Sequence, residues 1–325
     1  MFVREALERR QIWIYFASVI AGTFAASAIA GTEGLEPLVN PALALMLFVT
    51  FLQVPLAEVG KAFREIRFLI ALMVSNFLAV PCLVLLLVSF APNDALVRLG
   101  ILMVLLTPCI DYVITFSQLG RADARLLLAS TPLLLVIQMA LLPFYLTAFL
   151  GDQVSGLVSL APFLRAFIWL IMVPLAFAAV AQFWASCGPT GRRVVAWLGI
   201  LPVLSTALVL FLVVAATVPL LGNAADKALG VVPIYVAFAI FAPMLGLAVG
   251  RVFRLGTAAS RSVAFSSSTR NSLVVLPLAL AVPGAVPVLP AVIVTQTLVE
   301  LISELVYIRI LPLFGRKSEA AEQSA

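Results

Sequence analysis

The hydrophobic positions of the chain form long apolar runs that are separated by short polar connections. Each run is close to the roughly 20 residues that a helix needs to cross a bilayer. The runs fall at 12–30, 39–56, 68–90, 96–118, 124–149, 159–185, 194–218, 229–252, 258–281 and 287–312. This pattern predicts an all-α membrane protein with ten transmembrane helices.

Two of these runs contain polar stretches that do not belong in lipid, Thr107–Tyr112 and Ser266–Ser272. Arg270 stands inside the second stretch. An arginine at the centre of a membrane helix costs roughly 2.5–3.5 kcal/mol on insertion scales, so such residues usually face a bundle interior or an aqueous cavity. We therefore predict that helices 4 and 9 are broken and that the two breaks meet at mid-membrane.

Composition agrees with a multi-pass membrane protein. The chain is 63% hydrophobic and 11% charged, and its mean hydropathy is +1.18. A soluble globule of this composition would expose far too much apolar surface. The charged segment 1–11 leads directly into the first run without a small-residue cleavage site, so we expect a first membrane helix rather than a removed signal peptide. The expected location is the cell membrane, with the lipid bilayer as a partner.

Lys and Arg residues are concentrated in alternate connections. One set of connections contains Arg4, Arg9, Arg10, Lys61, Arg64, Arg67, Arg121, Arg125, Arg192, Arg193, Arg251, Arg254, Arg261, Arg316 and Lys317. The alternate set contains only Arg98 and Lys227. Because basic loops stay on the cytoplasmic side, we predict that both termini are cytoplasmic.

The connections are short and none resembles a linker. We therefore predict a single transmembrane domain over 1–317, followed by a disordered cytoplasmic tail over 318–325.

The two halves of the domain, about 12–149 and 159–312, show weak internal similarity. An offset of 158 residues places Pro132 on Pro290 and Gln138 on Gln296. Five helices is an odd number, so a second copy must enter the membrane upside down. The pattern predicts two inverted five-helix repeats whose broken helices cross at the substrate site, as in many secondary transporters.

The residue inventory disfavours an enzyme. The chain has no histidine, and Cys82, Cys109 and Cys187 form neither a disulfide framework nor a metal-binding pattern. No GxSxG nucleophile elbow is present. We expect no enzymatic activity, no cofactor and no nucleic-acid partner.

Helix 10 carries a polar face. Its members are Gln296, Glu300, Ser303, Glu304 and Tyr307. Such a face can hold helices together by hydrogen bonds, but its two carboxyl groups favour a functional cavity. For Cys109, burial as a small apolar residue is the alternative to a binding role. For Arg270, the alternative is a buried salt bridge to Asp111 or Glu300.

Three segments resemble a known family. Thr107-Pro108-Cys109-Ile110, followed by the basic turn Gly120–Asp123, is similar to the fourth-helix signature of arsenite efflux permeases in the bile acid/arsenite transporter superfamily. The segments 264–271 and 298–300 resemble the ninth and tenth helices of the same permeases. General similarity extends over essentially the whole chain.

The resemblance implies export of trivalent arsenic as its uncharged hydroxide, arsenite, in exchange for protons. Antimonite is a further possible substrate. The family cysteine, matched by Cys109, would make a transient contact with As(III), and a thiol is a suitably soft ligand. A helix-10 glutamate, matched by Glu300, would carry the proton, and Glu304 on the same face is our second choice. The predicted substrate-binding residues are Cys109, Asp111, Ser267, Arg270 and Asn271.

One segment departs from the family pattern. The permeases have an asparagine pair followed two positions later by a glutamate, whereas this chain reads Arg270-Asn271-Ser272-Leu273. Relatives on the bile acid side bind sodium around the same crossing, so we predict that Arg270 replaces a coupling cation. Because a guanidinium group also pairs with carboxylates, a sodium- or proton-coupled carrier of small organic anions is the alternative function.

Overall fold

A computed structural model describes residues 2–53, 65–110, 112–150, 168–220, 224–280 and 282–314. These residues form helices joined by short connections, and no β-strand occurs among them. Within the described ranges, seven helices are long and apolar enough to cross a membrane: Arg10–Ala28, Thr32–Phe51, Ile66–Val88, Ala124–Leu150, Pro189–Thr217, Ala225–Val252 and Val288–Leu313. The prediction of an all-helical, multi-pass membrane protein is therefore confirmed. The tail 318–325 lies outside the described residues.

The helices follow the predicted runs with local interruptions. In chain order they are α1 Phe2–Ala28, α2 Glu36–Phe51, α3 Ile66–Val74, α4 Val80–Val88, α5 Ala95–Leu105, α6 Val113–Leu119, α7 Ala124–Leu150, α8 Val173–Cys187, α9 Pro189–Leu198, α10 Leu201–Thr217, α11 Ala224–Gly230, α12 Val232–Val252, α13 Thr257–Ser268, α14 Ser272–Leu280 and α15 Val288–Ile310. Short 3₁₀ turns occupy Thr32–Leu35, Val218–Leu220 and Leu311–Leu313, and π-helical turns occupy Ser75–Ala79 and Ile168–Met172.

The fourth and ninth runs are each interrupted at the predicted polar stretch. The fourth run divides into α5 and α6, and the ninth divides into α13 and α14. The side chain of Asp94 begins α5 by accepting hydrogen bonds from the backbone nitrogens of Leu96 and Val97. In α13 the hydroxyl groups of Ser267 and Ser268 bond to carbonyls four residues earlier, a contact that often bends helices. The resulting half-helices are too short to count as complete spans.

The chain packs as two compact units, and each unit draws on both halves of the sequence. The first unit contains Met1–Val54, Ser155–Ala228 and Leu273–Val294. Its centre is α10, which packs against both α1 and α2. The second unit contains Pro55–Val154, Leu229–Ser272 and Thr295–Ala325. The predicted single domain over 1–317 stays a prediction.

In the second unit α12 and α13 approach each other closely through small residues. A Cβ atom added to Gly246 would lie 2.6 Å from the Cα of Ala264, and one added to Gly250 would lie 2.8 Å from the Cβ of Ser260. Glycine permits this approach, as small residues do at many helix interfaces in membranes. The half-helix α13 is therefore held against a complete span.

We expect Gly246→Ala to lower the stability of the protein by about 1–3 kcal/mol, because the new methyl group would overpack a backbone contact. Gly230→Ala is the matched control, since a Cβ at that position has nothing within 4 Å. Thermal unfolding of the purified protein in detergent measures both effects. Equal melting temperatures for the two variants would contradict the close packing of α12 on α13.

Candidate functional site

The two helix breaks are joined through their backbones in the second unit. Pro108 and Arg270 form an isolated antiparallel bridge. On its two sides, the nitrogen of Cys109 donates to the carbonyl of Thr269 at 3.0 Å, and the nitrogen of Asn271 donates to the carbonyl of Thr107 at 2.8 Å. Irregular backbone is tolerated at membrane depth only where such partners exist. The bridge therefore makes the two breaks one structural element.

Arg270 is fully buried at this crossing. Its guanidinium group donates to Oδ1 of Asn76 at 2.9 Å, to the carbonyl of Ser266 at 2.5 Å and to the carbonyl of Leu105 at 3.3 Å. The guanidinium carbon also lies 5.5 Å from the ring centroid of Phe238, a cation–π contact. Both carbonyls belong to the last turns of half-helices, α5 and α13. Arg270 therefore places its charge at the negative ends of two helix dipoles.

Asn76 connects this arginine to a third element, the π-helical turn between α3 and α4. Its Nδ2 donates to the hydroxyl of Ser266 at 2.9 Å and to the carbonyl of Leu72 at 3.1 Å. One residue earlier, the hydroxyl of Ser75 is hydrogen bonded to that of Ser267 at 2.7 Å. Such π-helical turns are frequent at functional sites. Here the turn supplies polar atoms to the break in α13.

Glu300 lies on α15 beside the backbone of the crossing. One carboxylate oxygen accepts from the nitrogen of Arg270 at 2.7 Å and from Nε2 of Gln296 at 2.5 Å. The other accepts from the hydroxyl of Tyr112 at 2.5 Å. Glu300 therefore contacts the backbone of Arg270, while the guanidinium bonds described above reach an amide and two carbonyl oxygens.

Glu304 is completely buried on the same face of α15. Its Oε1 accepts a hydrogen bond from the hydroxyl of Thr269 at 2.5 Å. Its Oε2 has no hydrogen-bond partner within the described part of the chain. Glu304 has no exposed surface, whereas Arg309, later in α15, is exposed. The two carboxyl groups thus lie on successive turns next to the crossing.

Cys109 is the buried thiol of the chain, with no exposed surface, whereas Cys82 and Cys187 are exposed. Its position in the bridge places it between the same half-helices that surround Arg270. Within the described ranges, no group of three or more His, Cys, Asp or Glu residues could hold a metal ion. Cys109 can therefore offer a single soft ligand, which suits brief contact better than retention.

Most predicted site residues come together in the second unit. Cys109, Ser267, Arg270 and Asn271 lie at or beside the bridge and are buried. The side-chain nitrogen of Asn271, Nδ2, has no hydrogen-bond partner in the described residues. Asp111 lies outside the described residues.

Sequence reasoning missed three polar contributors: Asn76, Tyr112 and Thr269. Each forms a hydrogen bond with Arg270 or with one of the two carboxyl groups on α15, Glu300 and Glu304. Tyr112 and Thr269 belong to the two polar stretches and Asn76 to a mostly apolar run, but the partner of each hydrogen bond cannot be read from spacing. The partner of Asn76 is 194 residues away.

A search among known families finds one match for this chain. The model described as the Sodium Bile acid symporter family matches residues 40–224, which is more than half of the sequence. A comparison with curated proteins finds no match.

Proposed function

The chain belongs to the sodium bile acid symporter family, a family of membrane transporters, and we propose that it exports arsenite from the cytoplasm in exchange for protons. The observation that carries the choice of substrate is the buried thiol of Cys109 at the crossing of two broken helices. As(III) is thiophilic, and its hydroxide is small and uncharged. In the described part of the site the guanidinium group of Arg270 is already bonded to protein groups, which suits such a substrate.

The bonding of Arg270 supports arsenite over an organic anion. One terminal nitrogen of its guanidinium group donates to both Asn76 and Ser266, so both hydrogens of that nitrogen are used. Bidentate binding of a carboxylate through the two terminal nitrogens would require these bonds to break. The organic-anion carrier, our second candidate, therefore has to rearrange the crossing before it can bind its substrate.

The same bonds support a fixed cation in place of sodium. Broken transporter helices commonly coordinate sodium through unwound carbonyls and half-helix ends. In this chain the guanidinium group of Arg270 donates hydrogen bonds to the carbonyls of Leu105 and Ser266, which lie at such half-helix ends. We propose that this permanent charge removes the need for a coupling sodium ion.

The direct test measures arsenite in cells that lack their own exporter. Expression of the chain should lower accumulated arsenite and raise resistance to it. If accumulated arsenite is unchanged while radiolabelled carboxylates enter or leave, the chain is an organic-anion carrier. Parallel measurements with antimonite define the metalloid range.

We also propose that ten helices form two inverted repeats, with an offset of 162 rather than 158 residues. Two tyrosine bonds support this offset. The hydroxyl of Tyr145 donates to the carbonyl of Phe77, and that of Tyr307 donates to the carbonyl of Ala239, each across 68 residues. Donor and acceptor of the second bond both follow those of the first by 162 residues. Equivalent bonds at one offset are expected of related halves.

The bridge has the same internal symmetry. Adding 162 to Thr107 and Cys109 gives Thr269 and Asn271. The offset therefore relates the two donors of the bridge, Cys109 and Asn271, and also its two acceptors, Thr107 and Thr269. The helices α5 and α13 begin at positions that differ by the same number. The smaller offset differs from this one by four residues, and positions four apart share a helix face. Sequence similarity therefore could not separate the two registers.

We expect the C-terminus to be cytoplasmic. A reporter that works only in the cytoplasm should therefore be active when fused after Ala325, and a reporter that works only outside the membrane should be inactive there. The reason is the excess of Lys and Arg in alternate connections, combined with an even number of spans. A paired set of fusions, one active inside and one active outside, measures this directly. Activity of the outside reporter at this position would overturn the cytoplasmic C-terminus, and with it either the orientation or the ten-helix count.

We expect Glu300→Gln and Glu304→Gln to abolish arsenite-driven proton movement in membrane vesicles. Both carboxyl groups lie beside the crossing, and an amide cannot carry the proton. Ser303→Ala is the matched control, because its hydroxyl bonds to the carbonyl of Val299 within the same helix. Unchanged proton coupling in both glutamine variants would remove this face of α15 from the mechanism.

A further inference from the structure

An open groove runs between the C-terminal halves of α12 and α15 in the second unit. Its apolar part has a volume of about 340 Å³ and is lined by side chains that include Ile240, Met244, Leu247, Val306 and Ile310. Ligand sites in proteins typically have volumes of about 300–1,000 Å³ and mostly apolar walls. The groove therefore has the size and lining of a binding site.

The groove adjoins a more polar cavity. This cavity has a volume of about 200 Å³. Leu247, Arg251 and Phe314 line both spaces, so the two adjoin each other. Thr257 and Ser260 add hydroxyl groups at the polar end, and the side chain of Arg251 is exposed. One ligand could therefore place an apolar part between the helices and an anionic part beside Arg251.

Arg261 fixes the wall of this polar end. It is buried, and its guanidinium group donates to the carbonyls of Pro312 and Phe314 just after α15. These bonds hold residues 312–314 against α13, so the polar end has a defined shape. The cation that faces outward is Arg251.

The surroundings indicate a lipid ligand. Ile240, Met244 and Val306 expose about half of their surfaces, 54%, 60% and 45%, although they are large and apolar. In a chain that spans a membrane, such surfaces face hydrocarbon. The loop Lys and Arg pattern places Arg251 and Arg254 at the cytoplasmic surface, where anionic lipids give the membrane a negative potential.

We propose that this groove binds one anionic phospholipid, with an acyl chain along the apolar part and the phosphate group at Arg251. The planar guanidinium fork matches phosphate oxygens, and basic pockets between membrane helices are known to hold lipid headgroups. The lipid would touch Tyr307, whose ring also packs edge-on against Phe265 of α13 at 6.4 Å. It would thereby brace α12, α13 and α15 against one another. This proposal does not depend on which substrate is transported.

The test titrates the purified full chain in detergent with phosphatidylglycerol and with phosphatidylcholine of the same acyl chains, using native mass spectrometry. We expect the anionic lipid to bind more tightly. Arg251→Gln should weaken that binding by on the order of tenfold, the usual effect of losing a charge-assisted hydrogen bond. Met244→Trp, which fills the apolar part, should reduce binding of either lipid. Arg192→Gln removes an exposed arginine from α9 and serves as the control.

Four results would overturn the proposal. The first is equal affinity for the two lipids, and the second is equal loss in the Arg251 and Arg192 variants. The third is a dimer that Met244→Trp dissociates while lipid binding stays unchanged, which would assign the groove to a second copy of the chain. The fourth concerns glycerol phosphate, which supplies the headgroup without acyl chains. If it binds as tightly as the lipid, the site recognises free phosphate compounds rather than lipid.

Discussion

Cys109→Ser should reduce arsenite export to the background of the host while the protein remains folded and inserted. Serine replaces a soft thiol by a hard hydroxyl group, which is a poor ligand for As(III). The side chain of Cys109 is completely buried, and the slightly smaller serine fits without overpacking. The backbone bond from residue 109 to Thr269 does not depend on the side chain. The bridge between the two breaks should therefore survive the substitution.

The other two cysteines provide matched controls. Cys82 and Cys187 are exposed, so Cys82→Ser and Cys187→Ser, separately or together, should retain export. Resistance to arsenite, intracellular arsenic and the gel-filtration profile of each purified variant distinguish loss of function from loss of folding. Full resistance with Cys109→Ser would show that this thiol only packs, and it would remove the main support for arsenite as the substrate.

Arg270→Ala should strongly destabilise the protein, by roughly 3 kcal/mol or more, because three buried acceptors lose their donor at about 1–3 kcal/mol each. The substitution leaves the acceptors on Asn76, Leu105 and Ser266 without their donor. Each unpaired buried acceptor carries its own desolvation cost. Arg270→Lys should recover only part of the loss, since an ammonium group cannot reproduce the planar fork. Thermal unfolding and the yield of folded protein measure both variants.

Sodium gives this prediction a second readout. If Arg270 replaces a coupling cation, sodium should raise the melting temperature of Arg270→Ala but leave that of the unmodified chain unchanged. Arg309→Ala is the control, because Arg309 is an exposed arginine in the same unit. Sodium-dependent transport by the unmodified chain would contradict the fixed-cation role.

The positions of the helix breaks could be predicted because local composition determines them. Seven consecutive polar residues at Ser266–Ser272 cannot remain in hydrocarbon as an uninterrupted span, and proline at position 108 removes a backbone donor in the other break. The polar face of α15 was also readable, since Gln296, Glu300 and Glu304 follow helical spacing. These features depend on neighbours within a few turns.

The partners of Arg270 could not be predicted in the same way. The sequence offered Glu300 and Asp111 as salt-bridge partners because opposite charges attract, and Asp111 lies outside the described residues. Among the described residues the guanidinium group bonds to neutral oxygens, and the backbone nitrogen bonds to Glu300. Which of these bonds form depends on the position of the π-helical turn at Ser75–Ala79, a feature without a clear sequence pattern. Tertiary packing decides such contacts.

The two halves of the crossing differ in chemistry although their backbone bonds match. Pro108 has no N–H, so the half that contains it cannot form the contact that Glu300 makes with the nitrogen of Arg270. The residue 162 positions before Glu300 is Gln138, a buried amide with no hydrogen-bond partner among the described residues. On the proposed function, the thiol belongs to one half, and Arg270 and the proton-carrying acids belong to the other. Mutations near Cys109 can therefore change the transported substrate during evolution, while the residues that couple transport to protons stay unchanged in the other half.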